Sequence, residues 1–248
     1  MMHTVAASVE PAGIRPALAG RVVRRAELTA REIDSMYRLL TAHFSGVEPE
    51  IFRQDLAEKN RVVLLEDDRR EIRGFSTFLM YTTAVCGRPI TVVYSGDTIV
   101  EPAAWGSPVL PRAWIHAVYA LRRDYPDGEL YWLLLTSGFR TYRFMSVFYR
   151  QFYPRFDEPT PADAQRILDA LSLERFGEAY DAHSGIVRFP RPQRLRERLA
   201  GVPDGRCADP HVRFFLDRNP GHGSGDELVS LISLAPDNLT PAGRRMAR

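Results

Sequence analysis

Lysine is almost missing from this chain: Lys59 is the single one, and every other cationic side chain of the lysine–arginine class is arginine. Genome base composition explains that bias more cheaply than function does. Arginine nevertheless presents a fixed fork to carboxylate or phosphate, so clustered arginines are candidate anion contacts. Cysteine is nearly as scarce, and Cys86 and Cys207 belong to no CxxC or Cys/His cluster. Neither a zinc site nor a disulfide framework is indicated, which fits a reducing, cytoplasmic compartment. No stretch approaches 18 uninterrupted apolar residues, and residues 1–20 lack the basic start and apolar run of a signal peptide. The reading is a loose leader on a non-membrane protein. A charge of one sign is lacking too. The net charge is +2 with acids interspersed, which is not the footprint of a nucleic-acid binder.

What remains suffices for a sizeable core, since 45% of the 248 residues are hydrophobic and no staple is needed. After a short strand at 21–25, Thr29 followed three residues later by Glu32 reads as a helix N-cap. Ile33, Met36, Tyr37, Leu40 and Phe44 form the buried stripe of that helix, and Phe52 and Leu56 mark a second. Residues 61–66, 71–85 and 88–100 are separated by a charged turn and by Cys86-Gly87, giving three antiparallel strands in a row. A loop at 101–108 leads to a helix over 111–124, a central strand at 130–135 and a helix over 141–152. Strand, helix, strand implies a parallel pair. A helix over 160–176 capped by Thr160 and a strand at 185–189 follow. Residues 190–248 form a Pro-, Gly- and Arg-rich extension packed on the core, with strands at 212–216 and 227–234 returning to the sheet.

This order, over residues 21–189, resembles the GNAT superfamily of acyl-CoA N-acyltransferases. Two stretches add to the likeness: Asp97-Thr98-Ile99-Val100-Glu101-Pro102 is similar to the family's fourth strand, and Phe148-Tyr149-Arg150-Gln151-Phe152-Tyr153 to its tyrosine-bearing helix end. The resemblance implies an α/β (α+β) fold with a central mixed, mostly antiparallel sheet flanked by helices, and a bulge near Ser95-Gly96 that opens a cleft between splayed strands. It also implies acyl-CoA as co-substrate, met by Val100, Gly106, Ser107, Arg112, Ser137 and Arg140. At the signature loop the chain departs from the family. Ala103-Ala104-Trp105-Gly106-Ser107-Pro108 keeps one glycine, loses the leading arginine, and ends on a proline that has no N–H for a pyrophosphate. Either Arg112 holds the anion, or the donor is acyl-phosphopantetheine on an acyl carrier protein, or the loop binds nothing.

The chemistry implied needs a neutral amine, a polarised thioester carbonyl and an acid for the leaving thiolate. Tyr149 is the acid that the resemblance suggests, and equally one of several aromatics packing a helix. Asp97 and Glu101, four apart on one strand, are candidate bases; otherwise Asp97 ties down a kink and Glu101 is a solvated strand end. Ser137-Gly138 is a pantetheine contact or a plain strand-to-helix turn. His43, His116, His183, His211 and His222 form no nucleophile pair with serine or cysteine, and the glycine-rich segment Asn219–Glu227 lacks the lysine of a P-loop. The expected function is acyl transfer to an amine of a small molecule or peptide, without a metal. The alternatives are a GNAT-like binding domain without turnover, and thioester hydrolysis or decarboxylation in the same cleft.

Overall fold

The computed structural model describes residues 17–248. The expected leader lies outside the described residues up to residue 16, and Ala19 and Gly20 already belong to the first strand. In chain order the elements are β1 (Ala19–Arg24), α1 (Ala30–His43), β2 (Phe44–Ser45), α2 (Pro49–Glu58), β3 (Arg61–Glu66), β4 (Ile72–Val85), β5 (Arg88–Val100), α3 (Val109–Leu121), β6 (Glu129–Thr136) and α4 (Phe139–Phe148). Then come α5 (Ala162–Phe176), β7 (Tyr180–Asp181), β8 (Ile186–Val187), β9 (Arg194–Leu195), α6 (Glu197–Ala200), α7 (Pro210–Arg218), β10 (Glu227–Ser233) and α8 (Pro241–Met246).

Eight strands form one sheet in the order β1-β3-β4-β5-β6-β10-β8-β7. Every pairing is antiparallel except β5 with β6, the parallel pair that a strand–helix–strand passage through α3 requires. The mixed, mostly antiparallel sheet flanked by helices is the architecture expected from the sequence. The second small sheet pairs β2 with β9. β10 enters from the C-terminal part of the chain and lies inside the main sheet, between β6 and β8.

Alternation along the strands sends side chains to two layers. On one face Val63, Phe78, Met80, Val93, Trp132 and Leu134 pack under α3, α4 and α7. On the other, Val62, Leu64, Phe75 and Ile99 meet α1 and α2, while Val92, Tyr94, Leu133 and Val229 meet α5. The Thr29 hydroxyl accepts from Glu32 N and the Glu32 carboxylate accepts from Thr29 N, closing the anticipated capping box of α1.

Three local expectations need correction. Residues 212–216 form part of helix α7, not a strand: Asp209 caps it by accepting from His211 N, Pro210 opens its first turn, and Val212 and Phe215 share its buried face. α5 starts at Ala162 behind Pro161, with no side-chain cap from Thr160. α4 ends at Phe148 rather than 152, because Asn238 captures the chain there: Arg150 N donates to its carbonyl and Gln151 N to its side chain at 2.8 Å.

Candidate active site

β5 and β6 pair only as far as Tyr94 and Leu133. β5 then runs on to Val100 and β6 to Thr136, so the strands part and leave a wedge-shaped gap. A bulge lies at its edge. Ser76 of β4 faces Thr98 of β5 and Phe78 faces Ser95, so Gly96 and Asp97 together stand opposite Thr77. That extra residue re-aims the strand, as bulges beside functional sites commonly do. Ser95 is tied down beside it, its hydroxyl accepting from Trp132 Nε1 at 2.8 Å.

Into this gap, on the α2/α5 face, the fold brings carboxyls from separate parts of the chain. Asp97 comes from the bulge of β5 and Glu227 from the first residue of β10, on the same face as Val229 and Leu231. No hydrogen bond or ion pair to either carboxyl is found among the described residues. Desolvation and the nearby Asp55 push Asp97 up to about 7, against the pull of Lys59. Desolvation, Asp97 and Asp55 push Glu227 up to about 8. The charge of Asp97 is thus one reason for Glu227 to keep its proton, as like charges in one region disfavour full ionisation. Around them, Lys59 Nζ donates to Asp55 Oδ1 at 2.5 Å, Arg175 pairs with Glu58, and both cations lie over the Tyr94 ring, at 5.2 and 4.3 Å. The buried Thr77 hydroxyl on the same face finds no partner. Carboxyls poised near neutrality can take a proton from an ammonium at physiological pH, which is what a general base requires.

The sequence-derived candidates fall into separate places. Glu101 does not join Asp97: it stands beyond the end of β5, 3.4 Å from Arg73 Nη1, and its N–H donates to the Arg73 carbonyl. Tyr149 caps the end of α4, is 1% exposed, and packs its ring 6.0 Å from that of Trp132 on the opposite face of the sheet. Its hydroxyl has no partner, and burial holds it well above the ordinary tyrosine range. Val100 and Arg140 are brought together through Trp105, whose indole N–H donates to the Val100 carbonyl at 2.9 Å and whose ring carries the Arg140 guanidinium at 4.1 Å. Arg140 also donates to Leu199 of α6 at 2.8 Å. Ser137 stands just before Gly138, the N-cap of α4.

In the loop between β5 and α3, the N–H groups of Ala104, Trp105 and Ser107 turn inward onto Glu101, Pro102 and Ala104 carbonyls, and Val109 N onto the Ser107 hydroxyl. Pro102, Pro108 and Pro111 have no N–H to offer. Gly106 takes a φ of +81 that favours glycine, and Arg112 is exposed on the first turn of α3. A pyrophosphate cradle made of backbone N–H groups therefore does not fit this loop.

Sequence reasoning missed Glu227, Asp55 and the burial of Lys59. Glu227 opens a strand whose sheet position cannot be read locally. Lys59 did carry a signal, as the lone lysine of an arginine-based chain. Among the described residues no group of three His, Cys, Asp or Glu is placed to hold a metal ion, and no helix is long and apolar enough to cross a membrane.

No protein-family model and no curated protein matches the sequence. Solved structures do. An Enterococcus faecalis protein described as a probable N-acyltransferase is 14% identical, with 66% of this chain and 45% of that chain covered and a TM-score of 0.42. The chain thus spans less than half of that protein. An Escherichia coli GNAT family N-acetyltransferase in complex with CoA is 17% identical, with 54% and 70% covered and a TM-score of 0.38. A Trypanosoma brucei acetyltransferase is also 17% identical, with 58% and 99% covered and a TM-score of 0.38. On its own strand order, its single parallel pair and the bulge beside the parted strands, the chain has a GNAT-like fold.

Proposed function

We propose that the gap between β5 and β6 carries acyl transfer from a pantetheine thioester to an amine of a small molecule or peptide, in a cytoplasmic protein. The observation that supports it best is the pair of partly buried carboxyls without a hydrogen bond or ion pair, Asp97 and Glu227, at the edge of that gap. A pair that carries one negative charge takes one proton from the substrate ammonium. The neutral nitrogen then attacks the thioester carbonyl carbon, the C–S bond breaks, and the second proton leaving nitrogen passes to the thiolate. Charge and atoms balance with no metal. Positioning of the two substrates supplies most of the rate.

The inward-turned loop favours a donor recognised by its pantetheine arm, so an acyl carrier protein competes with coenzyme A as its source. Arg140 and Arg112 are the basic residues placed for an anion on either. A second reading, a binding domain without turnover, draws support from one observation: the segment from β9 to α6 bridges the two sides of the gap's mouth. Arg196 N donates to the His43 carbonyl at 2.9 Å on one side, and the Leu199 carbonyl accepts from Arg140 on the other.

Calorimetric titration with acetyl- and octanoyl-coenzyme A, and with the matching acyl-pantetheines, tests these readings. Micromolar binding of a coenzyme A ester supports that donor and opens an amine screen. Binding of acyl-pantetheine alone points to a carrier protein. Silence for all of them removes the acyl-transfer reading.

A further inference from the structure

The one lysine of the chain is also the most enclosed cation among the described ion-paired residues. Its side chain is 0% exposed, a condition that ammonium groups tolerate only when paired. The pairing is local and complete on one side: Nζ donates to Asp55 Oδ1 at 2.5 Å and to the Asp55 carbonyl at 3.0 Å, in the last turn of α2. There the helix dipole also favours a positive charge. The other side of the ammonium faces the bulge.

Space explains why this position is lysine in a chain that otherwise uses arginine. A methyl group on Gly96 would overlap both Lys59 Cε and Thr77 Oγ1 and would lie 3.2 Å from Lys59 Nζ. The lysine chain therefore runs directly against the bare backbone of the bulge, with the buried Thr77 behind it. A guanidinium, planar and broader than an ammonium, has no room there. The bulge and the lysine fit one another, and the residue that follows Gly96 is Asp97.

The charged and titratable groups facing this point come from every packed element. They are Asp55 and Glu58 on α2 with Lys59 at its C-terminal cap, Tyr94 and Asp97 on β5, Arg175 on α5 with Glu174 and Tyr81 of β4 beside it, and Glu227 on β10. Arg175 is matched by Glu58 and Lys59 by Asp55, which leaves Asp97 and Glu227 as the unmatched acids.

We propose that Lys59 is the positioning residue of this acid pair: its ammonium, locked between the end of α2 and Gly96, favours the charged form of Asp97, the acid next to Gly96, with Asp55 as the opposing weight. Lys59 touches no reacting atom. It sets the proton count with which the pair meets the substrate ammonium. The role rests on the acyl-transfer reading, whereas the test below does not.

The test is carboxyl-carbon NMR on full-length protein carrying 13C at Asp Cγ and Glu Cδ, titrated through the neutral range, with Asp97→Asn and Glu227→Gln assigning the two signals. In Lys59→Met the Asp97 midpoint is expected to rise by about one pH unit, the usual effect of losing one nearby opposite charge. In Asp55→Asn both midpoints are expected to fall, and in the double variant Asp55→Asn/Lys59→Met that of Asp97 to return towards wild type. An unmoved Asp97 midpoint in Lys59→Met, or a downward move, overturns the assignment. Should Lys59→Met not fold, Asp55→Asn and the double variant, which leaves no lone charge, decide the matter: an unmoved midpoint in Asp55→Asn overturns it. Failure to detect acyl transfer with any amine would remove the catalytic setting while leaving the titration result in place, so the two failures are distinguishable.

Discussion

Replacing Asp97 with asparagine isolates the electrostatic strain of the gap. The carboxyl is pushed from its ordinary 3.8 up to about 7, by burial first and Asp55 second. A raised carboxyl means that the folded chain holds a proton which the unfolded chain has lost. Its contribution is complete below the unfolded value near 4 and disappears as pH rises through about 7. At 1.36 kcal/mol per pH unit the full linkage is roughly 4 kcal/mol. Asp97 is only partly buried as a residue, so water reaching the gap reduces this, and about 2 kcal/mol is the expected effect. Asparagine is nearly isosteric and never ionises. The variant should match wild type at pH 4.5 and exceed it by about 2 kcal/mol at pH 8 in urea unfolding. The difference between the two proteins is the readout, because ion-paired carboxylates such as Asp67 and Asp181, held below their ordinary value by hydrogen bonds, lose stability in the opposite direction as pH falls. If acyl transfer is established, the same variant should lose turnover on the order of 100-fold. A stability difference that is equal at pH 4.5 and pH 8 would refute the claim that Asp97 is strained by its charge.

Gly96→Ala should cost about 2 kcal/mol in the same assay, since the new methyl overlaps Lys59 Cε and Thr77 Oγ1 inside a buried layer; an unchanged midpoint would mean that Lys59 has another place to go. Tyr149→Phe should fold and gain up to about 1 kcal/mol, because it deletes a buried hydroxyl that has no partner. Its turnover is expected to hold, and a large loss would return Tyr149 to the chemistry.

Strong local signals carried most of the fold. The capping box at Thr29 and Glu32, the Cys86-Gly87 turn and the apolar strand at 130–135 each agree with the structure. The segment 212–216 misled because Val-Arg-Phe-Phe-Leu is rich in residues that suit strands. The helix signal there was Asp209-Pro210, one turn earlier. Glu227 was illegible for a different reason: that β10 would lie beside β6, and not at an edge, depends on long-range pairing that no local pattern encodes. Asp97 was legible as an oddity, a charge after Ser-Gly in mid-strand. Its separation from Glu101 depended on where β5 ends, one residue short of that glutamate.

The altered loop, which the sequence showed only as a loss, has a positive counterpart in the structure. Where backbone N–H groups would face an anion, Trp105 instead donates to Val100, at the end of β5, and supports Arg140, at the start of α4. Arg140 in turn holds the Leu199 carbonyl, so one line of contacts runs from one parted strand to the other across the mouth of the gap. Arg140 has no carboxylate partner among the described residues, and desolvation lowers its affinity for its proton. An anion arriving there gains the charge that nothing else satisfies, and its binding must displace or recruit the Leu199 contact, worth about 1 kcal/mol. On the proposed function, entry to the gap and recognition of an anionic donor would both depend on this one guanidinium, so Arg140→Ala should weaken binding of an anionic donor more than that of acyl-pantetheine, and equal losses would refute the link.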